Sequence, residues 1–428
     1  MGCDFNENVA GRGKKKDQGH LGRRKQDGVR TWKIGGKLYA LDAFLPRHPG
    51  GPKVLELARD GFEDSTYAFE SHHTDIARAM KVLSKYEVGD ADSPGPMCSK
   101  EGSFFYELKR RTQVYLKGTE NGAGPDSTCV VTFATTLAAW FAFFAATLAT
   151  GWLTCALLTG FCGALLAGFG HNWAHQPRYH KWAWVLDLEG LNSEGWFKHH
   201  DLEHHMYTNL PADSHFTILE PFLVTNPTAE RHWLQATITP YLTPVLFFIA
   251  SFVSYLVTTV EKALGTAPEP FYPTFWLQWM QIVVLMSAHG WWGLALAVLK
   301  NGIMSEWYLT IAFINHNTDN AWRMKDRAHA KDWAEAQLCA SSDIGHPRLS
   351  FMSSARYLWL NYHTVHHLFP HTDMSKHPGI QAVMEQCCED FGISYCRGKS
   401  MWTLYVEMVN TFKEPKDLLN QALRECTM

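Results

Sequence analysis

The sequence predicts two unlike bodies in series: a small α+β domain over residues 29–92, then an all-α integral-membrane body over 128–428, with four transmembrane helices and a cytosolic helical cap. Three observations predict this. A short stretch of apolar–polar alternation gives way to short amphipathic segments before residue 92. Long uncharged runs follow, each able to fill the roughly 20 residues of a membrane helix. Histidines gather at the ends of those runs, in a chain with 22 of them. The mean hydropathy of −0.20 averages polar and apolar blocks and describes neither. A net charge of −3 excludes a general nucleic-acid binder, which needs a strongly basic face. The ten cysteines form neither a metal-binding pattern nor a disulfide framework, which points to reduced thiols.

Residues 1–28 carry Lys14, Lys15, Lys16, Arg23, Arg24 and Lys25 and almost no large apolar side chain, the composition of a disordered basic tail suited to contact with anionic membrane lipids. Gly2 and Cys3 invite lipidation, but the myristoylation pattern wants Ser or Thr where Asn6 stands. From Trp32 to Leu41 the alternation predicts extended chain turning at Gly35–Gly36, and short helices follow Pro52. His48-Pro49-Gly50-Gly51 sets a histidine at a tight turn whose glycines let a flat ligand approach the backbone, and His72 and His73 follow.

Residues 93–127 read as a linker with one amphipathic helix around Lys109, Arg110, Arg111 and Lys117, suited to a membrane surface. No charge occurs from Ser127 to Gly170, enough for two spans with Gly151 at the hairpin. Uncharged runs at Trp233–Val260 and Pro270–Leu299 supply one span each. Lys109 to Lys117 precede the first span, Arg178 and Lys181 follow the second, and Lys300, Arg323, Lys325 and Arg327 follow the last. The positive-inside rule then places the tail, the small domain and the histidines in the cytosol. No apolar segment of a cleavable signal stands at the N-terminus.

Nine histidines form the candidate metal site. His171 and His175 follow the second span at i, i+4, which aligns both imidazoles on one helix face. His200, His204 and His205 form a second group, His316 follows the last span, and His363, His366 and His367 stand in NYHTVHHLFP. Nine imidazoles exceed what one four-coordinate zinc needs, and imidazole suits iron as well as zinc or copper. His366 and His367 point roughly 100° apart on a helix, so they suit two adjacent ions better than one. His180 and His215 read as ligand-orienting or surface groups, His289 as a functional group or a helix-end residue, and Trp196, Trp291 and Trp292 as interface packing.

Over about sixty residues the order Trp32, Tyr39, Phe44, HPGG, Asp64-Ser65-Thr66, Phe69 resembles the cytochrome b5 domain. That resemblance implies a b-type haem with His48 and a later histidine as axial ligands. His73 is preferred from its position after Phe69, with His72 the alternative because the chain carries extra residues between HPGG and Asp64.

From Trp32 to Thr411 the chain resembles the b5-fused integral-membrane fatty acyl desaturases, including the cytochrome b5-related proteins. The motifs are FESHH, HHMYTN from His204 to Asn209, LNYHTVHHLFP from Leu360 to Pro370, and the GISY run before Cys396. The resemblance implies that the nine histidines hold two irons, with O2 as co-substrate, a lipid acyl chain as substrate, and NADH-cytochrome b5 reductase as electron donor in the endoplasmic reticulum membrane. Acyl or sphingoid hydroxylation uses the same metals, and a non-catalytic haem electron carrier is the reading of another class. Two departures stand out. The second box is usually His-x-x-His-His, and Asp201 occupies the position that would complete it, so His200 enters one residue early with His199 as understudy. His363 stands where front-end desaturases typically have glutamine. Spacing does not assign histidines to individual irons.

Overall fold

The computed structural model describes residues 30–92, 100–209, 213–217, 219–225, 229, 231–267, 269–319, 321, 330, 332–345, 348–395 and 398–413. The basic tail with Gly2 and Cys3, the linker at 93–99, and Arg323, Lys325, Arg327 and Cys396 lie outside them.

In the N-terminal domain, strands β1 (Trp32–Ile34) and β2 (Lys37–Tyr39) form the hairpin the alternation announces, turning at Gly35 and Gly36 with φ of 60° and 78°. Strand β3 (Glu87–Asp90), which no alternation marks, closes the antiparallel sheet in the order β1-β2-β3. Helices α1 (Pro52–Gly61), α2 (Thr66–His72) and α3 (Ile76–Leu83) complete the domain around Trp32, Ile34, Tyr39, Leu41 and Leu83. The Trp32 indole N–H donates to the Leu55 carbonyl at 2.6 Å, which lets so large a ring be buried without an orphaned donor.

The helical body begins with α4 (Phe104–Lys117), α5 (Ser127–Thr150) and α6 (Leu153–Ala174). It continues with α7 (Thr243–Leu264), α8 (Leu277–His289), α9 (Trp291–His316), α10 (Trp333–Ala340), α11 (His363–Leu368), α12 (His377–Phe391) and α13 (Met401–Lys413). Among the described residues, Ser127–Thr150, Leu153–Ala174 and Thr239–Leu264 are long and apolar enough to cross a membrane.

Two expectations need correction. The Pro270–Leu299 run, expected as one span, is broken at Gly290, whose φ of 59° and ψ of −138° suit glycine, and it divides between α8 and α9. An uncharged run measures length but does not record a turn. The amphipathic α4, expected on a membrane surface, packs Phe104, Phe105, Leu108 and Leu116 into a core with Trp333, Leu368, Phe369, Ile380 and Met384. The same stripe serves protein or lipid, and here protein covers it.

The tips of the two helical hairpins meet: His289 Nε2 lies 2.9 Å from the Leu148 carbonyl, and Trp292 Nε1 donates to the Gly151 carbonyl at 2.9 Å. His289 is thus a helix-end residue that satisfies a carbonyl. Helix α7 behaves differently from the hairpins. Its start adjoins α13 through the turn Thr239–Leu242. Beyond its end, the Tyr272 hydroxyl donates to Asn192, two residues from Glu194, which pairs with Lys53 of the N-terminal domain at 2.5 Å. Both ends of α7 therefore face away from the hairpin tips, and Val245, Ile249, Val253, Val257, Val260 and Leu264 form an exposed apolar stripe along it.

A buried ion pair braces the segment that carries the second histidine group. Lys300 Nζ on α9 donates to Glu189 Oε2 at 2.7 Å, and Trp140 Nε1 on α5 donates to Glu189 Oε1 at 2.8 Å. The short helix Ser193–Trp196 and the histidines follow directly.

Candidate metal centre

The nine histidines named from sequence all come together, 7% exposed or less. They gather about two centres, which a further cluster of His200, His204 and His215 links. His171, His175, His200, His205 and His366 offer ligand atoms within one small volume. His171 Nε2 lies 2.7 Å from His366 Nε2 and 3.0 Å from His200 Nε2, with His205 Nε2 3.2 Å from the last. The second group centres on His316, whose Nε2 lies 2.7 Å from His363 Nε2, 3.0 Å from His204 Nε2 and 3.2 Å from His367 Nε2.

A single imidazole nitrogen shares a proton with one neighbour, so three facing one another leave lone pairs opposed in a buried site. A cation resolves that conflict. Ligand nitrogens about 2.1 Å from one ion and roughly perpendicular stand about 3 Å apart, the spacing seen in both groups. His175 Nε2 is buried without a hydrogen-bond partner among the described residues and belongs to the first group. The donor set therefore fits two imidazole-bound ions.

Outer partners fix the rings from behind. His171 Nδ1 lies 2.6 Å from the Tyr308 hydroxyl, His175 Nδ1 donates to Asp201 at 2.7 Å, and His204 Nδ1 donates to Asp213 at 2.9 Å. His316 Nδ1 lies 3.2 Å from the Ala340 carbonyl, and His367 Nδ1 lies 3.1 Å from Thr208 Oγ1. Such partners orient metal-binding imidazoles and raise their basicity. Burial pushes the His204 imidazole down to about 3 and those of His200, His205, His363, His366 and His367 well below the ordinary value, which keeps them in the neutral, metal-binding form.

The extra residue in the second box is absorbed by backbone geometry. Residues Phe197–His204 form a π-helix, whose hydrogen bonds close one residue later than in an α-helix. His200 at i, with His204 and His205 at i+4 and i+5, thereby takes the angular relation that i+3 and i+4 have in an α-helix. His199, the understudy, turns to Glu203 at 3.1 Å with a half-exposed side chain. Asp201, freed from the box, turns inward and is 1% exposed. Burial works against its carboxyl, yet the imidazoles of His72 and His175 outweigh that and hold it well below the usual carboxylate range.

Sequence reasoning missed Asp201, Asp213 and Tyr308 as ring-orienting partners; only Asp201, inside a box, carried a signal. His215 belongs nearer the centre than its surface reading allowed, stacked on His204 with ring centres 4.0 Å apart. Trp196, read as interface packing, stands 4.8 Å from the His200 ring and lines the cavity described next. Asn209 donates to the His316, Ala321 and Ala340 carbonyls and to no imidazole. His180 Nδ1 lies 3.0 Å from the Ala174 carbonyl, and its ring meets Phe197 edge-on.

A cavity of about 470 Å³, within the range of small-molecule sites, ends on both histidine groups at His171, His200, His204, His316 and His363. Its walls include Leu191, Trp196, Leu309, Ala312 and Phe313, and it runs along α7 past Ser254 and Thr258 to Glu261.

In the N-terminal domain the His48 and His73 rings face each other with centres 6.1 Å apart. His48 Nδ1 is held by the Gly51 carbonyl at 3.1 Å and His73 Nδ1 by the Phe69 carbonyl at 2.7 Å, and neither Nε2 has a hydrogen-bond partner among the described residues. Two axial imidazoles bound at about 2.0 Å to one central iron have ring centres roughly 6 Å apart, so the pair fits a bis-histidine haem. Burial lowers both imidazoles, His73 to about 4. His72 instead turns to Asp201 at 2.9 Å.

A bis-imidazole α+β domain set on an apolar helical bundle with two convergent histidine groups defines a class: membrane-type proteins that carry a buried histidine centre and an appended haem-type domain. Comparison with known proteins makes this particular. The sequence model described as fatty acid desaturase matches residues 146–399, and that of the cytochrome b5-like heme/steroid binding domain matches residues 19–92. The chain belongs to the fatty acid desaturase family and is an oxidoreductase with a fused b5-like domain. It is 26% identical to "Delta(5) fatty acid desaturase A" of Dictyostelium discoideum, with 85% of each chain covered. It is 25% identical to "Cytochrome b5-related protein" of Drosophila melanogaster, covering 86% of this chain and 85% of that one. To human "Fatty acid desaturase 3" it is 23% identical, covering 92% and 91%. No solved structure matches at a significant level.

Proposed function

We propose that this chain is an O2-dependent acyl-lipid desaturase that introduces a cis double bond, with electrons delivered by its own haem domain to a di-iron centre. The observation that carries the reading is the cavity, which ends on both histidine groups at once. In this reading residues 29–92 hold haem between His48 and His73, and residues 128–428 hold two irons. His171, His175, His200, His205 and His366 serve one ion; His204, His316, His363 and His367 serve the other. Bound there, the irons supply the oxygen chemistry that removes one hydrogen from each of two neighbouring methylenes.

The chain's own residues do the rest. Tyr308, Asp201 and Asp213 hold ligand imidazoles in one tautomer, so that a lone pair faces inward. Leu309, Ala312 and Phe313 hold an apolar chain beside the centre and exclude water. Trp196 walls the cavity against His200 and limits how the chain bends there. Which carbons react then depends on how far the chain enters. An NADH-dependent cytochrome b5 reductase recharges the haem, and the enzyme sits in the endoplasmic reticulum membrane with haem domain and histidines cytosolic. Four crossings fit best as α5, α6, α8 and α9, with α7 inserted from the histidine side, its valine stripe against lipid and its other face along the cavity.

The test is lipid profiling by mass spectrometry in desaturase-deficient yeast expressing the chain and fed a panel of saturated and polyunsaturated acids. A product lighter than its precursor by two hydrogens is expected. A product heavier by one oxygen would replace desaturation with hydroxylation. Protein that binds haem but no iron would leave only an electron carrier.

A further inference from the structure

One carboxylate oxygen joins the two domains. Asp201 Oδ1 accepts from His175 Nδ1 at 2.7 Å and from His72 Nε2 at 2.9 Å. His175 belongs to the first histidine group, with its other nitrogen buried without a hydrogen-bond partner among the described residues. His72 is bonded in sequence to His73, whose ring faces His48. His72 Nδ1 lies 2.9 Å from the Ala68 carbonyl. The Ser71 hydroxyl stands 2.8 Å from the same nitrogen, so the ring is held from both sides, and the Asp201 carboxylate makes the seam contact charge-assisted.

Around that contact the seam is tight. Ser71 Oγ lies 3.3 Å from Met206 Sδ, Lys109 Nζ donates to the Glu70 carbonyl at 2.5 Å, and Thr74 hydrogen-bonds His371. Ser71 is wholly buried and Glu70 is 1% exposed. A second, more exposed tie joins Lys53 to Glu194. The two ties differ in one respect that matters. Of these two ties, the path through Asp201 leads on to a histidine of the metal groups, by one peptide-linked step and two hydrogen bonds.

Resting on the two-centre reading above, we propose that Asp201 and His72 are positioning residues for electron transfer between the domains. Asp201 fixes the His175 ring at the metal group, and through His72 it latches the haem-facing segment of α2 against that ring. Each transfer moves one electron: haem iron goes from ferrous to ferric, one histidine-bound ferric iron becomes ferrous, and no atom crosses the seam. An NADH-dependent flavoprotein restores the haem. The residue that breaks the histidine box is, on this account, the one that couples the box to its electron source.

The test uses the full chain in nanodiscs, loaded with haem and iron, under anaerobic conditions and without substrate. The haem is reduced with one electron equivalent, and its reoxidation by the ferric irons is followed by haem absorbance, with ferrous iron scored by Mössbauer spectroscopy. His72→Gln leaves the His175–Asp201 bond in place and is expected to slow reoxidation at least tenfold with haem spectrum and iron content unchanged. Asp201→Asn, normalised to bound iron, is expected to slow it as much, and Asp201→Glu to recover part of the rate. Lys53→Ala, which opens only the exposed tie, is expected to leave the rate as it is. Wild-type rates in both His72→Gln and Asp201→Asn would overturn the proposal. So would equal slowing in Lys53→Ala, which would show that adhesion of the domains alone sets the rate, or loss of both haem and iron from both variants, which would show a folding role. Because no substrate is present, a failed desaturation assay leaves this readout standing, and the reverse also holds.

Discussion

The Glu189–Lys300 pair yields a prediction that can be worked in numbers. Both side chains are 2% exposed or less, and the carboxylate is fully engaged by Lys300 at 2.7 Å and Trp140 at 2.8 Å. Removing one partner strands the other charge in the interior, at a cost of about 3–5 kcal/mol. Replacing both with apolar side chains of similar volume is close to neutral. Glu189→Leu and Lys300→Met singly are therefore expected to cost about 3–5 kcal/mol each, and the double variant about 0–1, a coupling of roughly 5 kcal/mol or more. At roughly 2 °C per kcal/mol, each single melts about 6–10 °C early and the double within a few degrees of wild type. Tryptophan fluorescence during thermal unfolding in detergent reads this out. Bound iron, measured in parallel, should fall in the singles and recover in the double, because Glu189 leads into the segment carrying His200, His204 and His205. A double variant as unstable as the two singles summed would refute the reasoning.

Further outcomes can be stated briefly. His366→Ala should lose iron and double-bond formation with haem absorbance intact, whereas His48→Ala should lose haem and keep iron; metal analysis and spectra on the same preparations decide both. A Cβ at Gly302 would stand 2.3 Å from the Phe248 ring, so Gly302→Ala should cost about 1–3 kcal/mol by overpacking α9 against α7, read in the same melt. An epitope inserted after Thr266 should be reached by antibody from the cytosolic face of sealed microsomes; protection there would mean that α7 crosses the membrane. Cys387 and Cys388, pushed by burial to about 11 and about 12, should resist alkylation at pH 8 in the native protein and react once it unfolds.

Much of the site was legible because its chemistry is local. HPGG and the i, i+4 pairs put particular residues on particular turns and faces whatever the rest of the chain does. The helix count was less legible. An uncharged run looks the same whether it continues as one helix, as in α7, or folds back at Gly290 between α8 and α9. The α4 stripe failed for a related reason, since lipid and protein cores select the same side chains.

By itself the sequence determined which nine imidazoles are available, that the haem-type domain precedes them, and that apolar helices separate the groups, because these are matters of residue type and short-range spacing. Only the tertiary structure decided how the nine divide five and four, because that division depends on where α6, α9 and α11 end relative to one another in space. It also gave His72 and His73 different surroundings. Both lie on or beside one short helix, and what separates them is Asp201, 129 residues away in the chain and 2.9 Å away in the fold.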